Sequence, residues 1–378
     1  MIFVIVCDVL GKENNGTTIA AMNLIRHLRA KKYEVRVICP DPDRSGDEGY
    51  FVVSQFNAGP FNNYIRKNGV SLARPVHSVI QEALDRADAV HIMVPFILGR
   101  AVLKEAKRRK IPVTAGFHCQ AENITSHLFL MNSRSVNNLA YKIMFRYFYN
   151  KVDAIHYPTE FIRNVFETIC GTTNGYVISN GVNKAFRNKE ISKPLEIKDK
   201  YIILFTGRYS KEKSHMILLK AVTLLQDKYD IQLIFAGSGP LERKLNKYAK
   251  KNLYVQPIMN FYSREELVRV INFSDLYVHP ASVEIESISC IEAISCGTVP
   301  LISDSGRSAA RSFALDERNL FHDNDPYDLS AKIEYWINNP KEAKICSDRY
   351  LACSFKYGLE QCMNCMEEMI LNTINENQ

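Results

Sequence analysis

The sequence predicts an α/β protein made of two doubly wound domains, and two observations support this. Short apolar runs alternate with helical patterns, and the alternation restarts after residue 190. Runs that are apolar throughout are typical of parallel strands covered by helices on both faces of a sheet. The runs assigned to strands are MIFVIVCDV, YEVRVICP, AVHIMVP, IPVTAGFH and AIHYPT in the first half and YIILFTGR, IQLIFAGSG, LYVQPI, LYVHPA and VPLISD in the second.

The length of 378 residues exceeds what one ordinary core accommodates, so two domains are expected. The polar, lysine-rich stretch 181–200 is the predicted linker. We therefore expect a first domain over 1–185, a second over 186–355, and a helix over 356–378 that packs back on the first domain. Ligands of open α/β sheets bind beyond the carboxyl ends of the strands, which predicts a site in a cleft where the two domains face each other.

Composition indicates a soluble protein, with 46% apolar and 24% charged residues. No apolar run approaches the roughly 20 residues that span a bilayer. The first run is followed by Asp8 and lacks a basic start, which favours a buried strand over a secretory signal. The ten cysteines lack paired metal-ligand spacing, so we expect reduced thiols, no metal site and a cytoplasmic location.

The net charge of +7 lies entirely in the first half of the chain. Residues 1–170 hold 22 Lys/Arg against 15 Asp/Glu, whereas residues 171–378 hold 26 of each. Such asymmetry is typical of a partner that carries phosphate, either nucleic acid or an anionic membrane surface, although a basic solubilising face is equally compatible.

Several polar residues follow predicted strands of the second half. Arg208 and Lys213 flank a strand-to-helix loop, where backbone N–H groups favour an anion. Glu284, Glu286 and Glu292 lie in the apolar run ASVEIESISCIEAISCG, where an unpaired carboxylate is costly. Either these acids face a ligand rich in hydroxyls and cations, or they are capping and surface groups.

Local signals predict a short helix over 288–296 after these acids. Ser287 is the expected N-cap, and Gly297 is the expected residue just past its end. The glycine of AGSGP, Gly237, allows close backbone approach, but a tight turn requires glycine as well. In the first half, Gly16 opens the first helix and His118 follows a strand, and either is also compatible with a structural role.

Taken together, the order and spacing of these motifs resemble the retaining glycosyltransferases of family 4, which have the GT-B fold. The resemblance spans nearly the whole chain. The motifs that carry it are Gly16, His118, VISNGVN at 177–183, GRYSKEK at 207–213, AGSGP at 236–240, FSDLYVHPA at 273–281, and Glu284 and Glu292 seven residues apart before AISCGTVP.

The resemblance implies a role for each matching residue. Arg208 and Lys213 would neutralise the donor diphosphate, Glu292 would accept from the ribose hydroxyls, and Glu284 would bind the donor sugar. His118 would contact that sugar. The implied catalytic set is His118, Arg208, Lys213 and Glu284, and the implied donor-binding set is Gly16, Arg208, Lys213, Gly237, Glu284, Ile285, Glu286, Ser287, Ile288 and Glu292. No metal or other cofactor is implied beyond the UDP-hexose substrate.

One loop departs from the family pattern. The common Glu-Gly-Phe-Gly is here Glu284-Ile285-Glu286-Ser287, which loses two glycines and adds an acid. The loop, GFHCQAEN at 116–123 and FYSREEL at 261–267 resemble the subgroup that glycosylates membrane lipids such as diacylglycerol or ceramide. We expect Glu286 to help select the hexose or orient the acceptor.

A lipid acceptor agrees with two segments of the first half. Residues 126–151 combine apolar and aromatic side chains with basic ones, as does an interfacial helix, and residues 104–110 are polybasic. The alternative is that residues 126–151 form a core helix of the first domain whose basic residues face solvent. The residues expected to contact an anionic membrane are Lys107, Arg108, Arg109, Lys110, Phe129, Lys142 and Arg146, which predicts a peripheral protein at the inner face of the cell membrane and no nucleic-acid partner.

The expected activity is hexose transfer from UDP-glucose or UDP-galactose to a lipid hydroxyl, with retention of anomeric configuration. The alternatives are a soluble family 4 enzyme that extends a saccharide and, in another class, a non-catalytic nucleotide-binding protein.

Overall fold

A computed structural model describes residues 1–11, 16–56, 59, 73–126 and 130–377. The chain forms two compact units, one of residues 1–180 and 360–378 and the other of residues 181–359. Phe129, one of the residues expected at a membrane, lies outside the described residues.

The first unit is built on a parallel sheet with seven strands among the described residues. The strands are β1 (Ile2–Val6), β2 (Glu34–Cys39), β3 (Tyr50–Val52), β4 (Ala89–Ile92), β5 (Val113–Gly116), β6 (Ala154–Tyr157) and β7 (Gly175–Val177). Their order is β3-β2-β1-β4-β5-β6-β7, and β1 is central because Phe3 pairs with both Val35 and Ala89. The order reverses at β1, which makes the sheet doubly wound.

Helices link these strands, as parallel connections require. They are α1 (Gly16–Ala30), α2 (His77–Ala83), α3 (Ile97–Arg108), α4 (Ala121–Thr125), α5 (Arg134–Tyr147) and α6 (Glu160–Cys170). Asp8, fully buried after β1, caps α3 by accepting from the backbone N–H groups of Leu98 at 2.9 Å and Gly99 at 3.1 Å. A carboxylate at a helix N-terminus satisfies donors that have no partner inside the helix.

One more helix, α13 (Leu359–Glu376), belongs to the first unit although it follows the second in the chain. Its Glu367 accepts from Tyr33 at 2.9 Å and lies 2.8 Å from Nε2 of His27 on α1. Its buried face is rich in methionine, a flexible side chain that fills irregular gaps: Cys362, Met363, Met366, Met369, Ile370 and Ile374.

The second unit repeats the architecture with six parallel strands among the described residues, in the order β10-β9-β8-β11-β12-β13. They are β8 (Tyr201–Thr206), β9 (Ile231–Ala236), β10 (Ile258–Asn260), β11 (Leu276–His279), β12 (Pro300–Ser303) and β13 (Leu320–Phe321). The predicted fold class of two doubly wound parallel-sheet domains is therefore confirmed.

The second unit also contains helices, and the one predicted over 288–296 is found at Ile288–Ser295. The helices are α7 (His215–Leu225), α8 (Glu242–Asn252), α9 (Arg264–Phe273), α10 (Ile288–Ser295), α11 (Pro326–Asn338) and α12 (Pro340–Ser354). Ser263 forms the capping box that starts α9, in which its hydroxyl accepts from Glu266 N and the Glu266 carboxylate accepts from Ser263 N. None of the helices in the described part of the chain is both long and apolar enough to cross a membrane.

Candidate active site

The loop after β8 presents two of the predicted cations. It passes through Gly207 and Arg208, makes a 3-10 turn over Lys211–Lys213, and enters α7 at His215. Arg208 and Lys213 are both half-buried. Ser214 bridges the turn and the helix in a left-handed conformation with a φ of 51°. Lys213 therefore ends the turn and lies two residues before the first residue of α7.

Gly237 follows β9, and its role is to bring two loops together. A Cβ built on Gly237 meets the carbonyl oxygen of Gly207 at 2.0 Å, closer than any side chain permits. The N–H of Gly207 in turn donates to Ala236 at 2.9 Å. The close backbone approach predicted for Gly237 is therefore made to the loop that carries Arg208.

Glu284 lies in the loop between β11 and α10, and its backbone is fixed on both sides. Its N–H donates to Arg307 at 3.3 Å, and its carbonyl accepts from Ala309 at 2.9 Å. Its side chain is 13% exposed and forms an ion pair with Lys213 through Oε1. The same oxygen lies 3.3 Å from Nε2 of His279, the fully buried last residue of β11. The structure thus brings two predicted site residues together and adds His279, which the sequence analysis did not identify as functional.

The charge of Glu284 depends on these two partners. Burial alone raises the pKa of a carboxyl group, but the Lys213 ammonium and the hydrogen bond from His279 outweigh it and hold the pKa of Glu284 at about 2. Burial lowers the pKa of His279, against the influence of Glu284, so its imidazole is neutral at physiological pH. The pair is therefore a carboxylate held between one cation and one neutral donor.

Ser287 corrects one expectation. It occupies the position before α10, as predicted, but its φ of 72° is left-handed and its side chain makes no capping hydrogen bond to the helix. Its hydroxyl lies 3.0 Å from Nε2 of His279 instead. This position is the second glycine of the common family loop, and a serine here adopts the conformation that glycine adopts most easily.

Glu292 lies on α10 and is half-buried, separate from the Lys213–Glu284 pair. Burial raises its pKa to about 8, with Arg264 opposing the shift. Among the other predicted donor-binding residues, Ile285 and Ile288 are half-buried, whereas Glu286 is only 4% exposed. The loop and the helix that follow β11 thus offer a paired, ionised carboxylate at Glu284 and a carboxyl group at Glu292 that is mostly protonated at pH 7.

The first unit places its predicted site residues differently. Gly16 is the exposed first residue of α1. His118 follows β5. A Cβ built on Gly116 would lie 2.6 Å from Nε2 of the His118 ring, so a side chain at position 116 would clash with this ring. The His118 ring contacts that of His156 on β6 edge-on, at 5.3 Å between centroids.

A third imidazole, His91 on β4, completes a buried group that the sequence analysis missed. His91 and His156 are each 1% exposed. One nitrogen of each is bonded, to Thr114 Oγ1 at 2.9 Å and to the Ile178 carbonyl at 2.6 Å. Within the described ranges, the other nitrogens and Nε2 of His118 have no hydrogen-bond partner. Burial lowers the pKa of all three, to about 3 for His91 and about 4 for His156, so the group is neutral.

The residues expected at a membrane fall into two sets. In the first, three cations are paired: Lys107 with Asp153 at 2.5 Å, and Arg108 and Arg109 with Glu105 at 2.6 and 2.8 Å. In the second, Lys110, two residues past the end of α3, is exposed and makes no ion pair with any residue that the structure describes, and the same holds for Lys142 and Arg146 on α5. Alongside them Leu139, Ile143 and Tyr147 are 58, 48 and 47% exposed, at the spacing of one helix face.

Comparison with known families assigns each half of the chain. The profile described as Glycosyltransferase Family 4 matches residues 14–186, and that described as Glycosyl transferases group 1 matches residues 186–350. The two profiles meet at residue 186, close to the boundary between the structural units.

Individual relatives are distant, and they match different shares of the chain. An alpha-monoglucosyldiacylglycerol synthase of Acholeplasma laidlawii is 22% identical, over 96% of this chain and 95% of that protein. A protein of the same name from Streptococcus pneumoniae is 24% identical over 57% of this chain, and the match spans only 51% of that protein.

Among solved structures, Anabaena HepE in complex with UDP and glucose gives a TM-score of 0.78 at 13% identity, covering 98% of this chain. The catalytic domain of cholesterol-alpha-glucosyltransferase from Helicobacter pylori is 44% identical over 42% of this chain and 99% of that chain, with a TM-score of 0.40.

Proposed function

Because this chain belongs to the GT-B-fold glycosyltransferases, with a family 4 domain followed by a group 1 domain, we propose that it transfers a hexose from UDP-glucose or UDP-galactose to a membrane lipid hydroxyl. The product is a glycolipid, and the anomeric configuration of the donor is retained. Diacylglycerol and ceramide are the acceptors of first choice. The chain works at the cytoplasmic face of a membrane as a peripheral enzyme.

The observation that supports this most directly is the Lys213–Glu284 pair at the ends of two neighbouring strands. A cation beside a carboxylate suits a ligand that carries both phosphate and sugar hydroxyls, since the ammonium binds the anion and the carboxylate accepts from hydroxyls. Arg208, on the same loop as Lys213, supplies the second cation. We propose that these two side chains stabilise the charge on the leaving diphosphate, so that no metal is needed.

We assign to Glu292 the binding of the donor nucleoside, through the hydroxyls of its ribose. Burial leaves this carboxyl without a full countercharge, and a ribose diol offers the two donors that a carboxylate accepts. Glu286 and His118 are assigned to the hexose. The HepE structure that this fold resembles holds UDP and glucose, which supports the choice of UDP as nucleotide.

The acceptor side is supported by the exposed face of α5. Leu139, Ile143 and Tyr147 offer apolar surface, while Lys142 and Arg146 add unpaired positive charge beside it. Such a face suits the headgroup boundary of an anionic leaflet, where each basic residue contributes about 1 kcal/mol. The two synthases of monoglucosyldiacylglycerol among the relatives support a lipid as acceptor.

The deciding experiment offers the purified chain UDP-glucose, UDP-galactose and GDP-mannose together with vesicles that contain diacylglycerol, ceramide or a sterol. Mass spectrometry identifies the product, and NMR gives its anomeric configuration. We expect one glycolipid with a retained linkage, formed equally well with EDTA present and abolished by Glu292→Ala. Transfer only to a soluble saccharide establishes the polysaccharide alternative, and nucleotide binding without transfer establishes the non-catalytic one.

The assignment of Glu286 has its own test. Glu286→Gln keeps the size of the side chain and removes its charge. We expect the ratio of glucosyl to galactosyl product, or of products on two lipids, to change. An unchanged product profile removes Glu286 from the assignment.

A further inference from the structure

A chain of buried polar side chains lies behind Glu284. His279 is fully buried at the end of β11, with Nε2 3.3 Å from Glu284 Oε1 and Nδ1 3.0 Å from the hydroxyl of Tyr277. That hydroxyl lies 3.4 Å from Thr206 Oγ1 and 3.2 Å from Ser289 Oγ. Buried imidazole with both nitrogens engaged is held in one orientation.

The chemistry of the partners fixes the tautomer of His279. An ionised carboxylate only accepts hydrogen bonds, so Nε2 must carry the hydrogen that Glu284 receives. In the neutral ring Nδ1 is then an acceptor for the Tyr277 hydroxyl, which lies between Nδ1 and Ser289 Oγ. Ser287 Oγ, 3.0 Å from Nε2, lies on the same side of the ring as Glu284.

Lys213 and His279 share one oxygen of Glu284. Both approach Oε1, and within the described part of the chain Oε2 accepts no hydrogen bond. A lysine that neutralises a donor diphosphate must turn away from Glu284 to do so. The carboxylate would then lose the one cation that the described residues pair with it, and the hydrogen bond from His279 would be left to oppose the effect of burial on its pKa.

We propose that His279 is a positioning residue that keeps Glu284 oriented toward the donor sugar while Lys213 exchanges the carboxylate for the diphosphate. The proposal rests on the proposed function, because it takes the bound ligand to be a nucleoside diphosphate hexose. Oε1 stays on the imidazole, and Oε2 is left to accept from a sugar hydroxyl. Lys213 changes partner, whereas His279 does not.

The titratable groups that surround this pair come from four elements. Besides Lys213 on the 3-10 turn, they are Tyr277 on β11, Cys290 on α10 and His215 on α7. Burial raises the pKa of Tyr277 and of Cys290, and burial lowers that of His215 to about 3. On the acid side this leaves Glu284 and His279 itself. Replacing His279 moves the acid limb of kcat, which reports the donor complex, to higher pH if Glu284 titrates, and removes that limb if His279 titrates.

The test compares two substitutions of the same side chain. His279→Asn removes the donor at the Nε2 position, whereas His279→Gln places an amide N–H close to it. For the Asn variant we expect kcat/KM for UDP-hexose to fall by at least about tenfold. We expect its acid limb to move up by about one pH unit or more, and the Kd of UDP, which lacks the sugar, to change less than about twofold. His279→Gln should recover part of both losses.

Two further variants separate positioning from stability. Tyr277→Phe keeps the ring and removes only the hydroxyl, so it should shift the acid limb in the same direction by less, even if His279→Asn folds poorly. Ile333→Val, on the buried face of α11, is expected to lower the unfolding temperature without moving the acid limb. If both His279→Asn and Tyr277→Phe keep the wild-type pH profile, or weaken UDP as much as UDP-hexose, the proposal is wrong. A wild-type chain that transfers no hexose from any UDP-sugar contradicts the proposed function instead.

Discussion

The polar side chains near the ends of the strands are charged in the second domain and neutral in the first. In the second, Lys213 and Glu284 are charged and paired, and neutral His279 supports the pair. In the first, the neighbouring strands β4, β5 and β6 bring together the neutral imidazoles of His91, His118 and His156, with no ion pair. A site of charges suits a charged ligand, and the imidazoles of the first domain are neutral and buried. The difference supports the proposal that a diphosphate binds at the second domain.

The largest effect is expected on catalysis, when a charged side chain of the second domain is removed and compared with a neutral one of the first. Because Lys213 is proposed to stabilise the leaving diphosphate, we expect kcat/KM of the Lys213→Ala variant to fall roughly 10²- to 10³-fold. His118→Ala removes one neutral contact and should cost only about tenfold. Steady-state kinetics measure both, with Lys211→Ala on the same turn as the control. A Lys213→Ala variant within threefold of wild type would break the comparison.

The second prediction concerns the acid stability of the imidazole group. The pKa of His91 is about 3 in the folded chain, so between pH 6.5 and 3 the unfolded chain binds a proton that the folded chain does not. The free energy of unfolding therefore decreases as the pH falls below about 6.5, by roughly 2–3 kcal/mol at pH 4 for this residue. His91→Asn keeps a group near Thr114 and does not titrate, so it should flatten the pH dependence measured by urea unfolding.

The matched control lies in the second domain. His322 is exposed, and its hydrogen bond to Asp304 raises its pKa, so its contribution is present at acid pH and is lost as the pH rises. His322→Asn should therefore leave the acid sensitivity in place. Equal flattening by both variants would show that the buried imidazoles do not cause it.

A smaller effect is expected at Glu292. Its pKa of about 8 means that the carboxyl group is mostly protonated at pH 7 and mostly ionised at pH 8.5. If the ribose hydroxyls donate to the carboxylate, UDP affinity should increase over this range, by roughly fivefold. Calorimetric titration of UDP at both pH values measures this. Glu292→Gln should bind UDP more weakly and lose the pH dependence, and a wild-type affinity that is flat with pH contradicts the assignment.

The smallest effect compares two basic segments within the first domain. Lys142 lies beside apolar surface and makes no ion pair within the described ranges, whereas Arg108 is bonded to Glu105. Lys142→Ala should weaken binding to vesicles with an anionic lipid by roughly three- to fivefold, and Arg108→Ala by less. Sedimentation with vesicles at two salt concentrations measures both. If both variants lose the same amount of vesicle binding, the ion pair with Glu105 does not prevent Arg108 from contacting the membrane.

The sequence predicted the two sheets well because continuous apolar strands alternating with helices leave few other arrangements. It also identified Lys213 and Glu284, because charges at strand ends stand out against apolar runs. It missed His279, His91 and His156, since each lies inside a run whose apolar neighbours give no sign of function. It expected Arg108 and Arg109 at a membrane and did not predict their ion pairs with Glu105, three and four residues earlier. Asp153, the partner of Lys107, is 46 residues away in the sequence.

Helix α13 has a consequence for how this chain is made. Its methionine-rich face and Glu367 complete the first domain, yet this segment is synthesised only after the whole second domain. During translation the surface of α1 that receives it stays uncovered while about 180 further residues emerge, at a rate of roughly 5–20 residues per second. The second domain is contiguous in the chain, so all of its residues have been synthesised before the first domain receives its last helix. We therefore expect the second domain to complete its fold before the first.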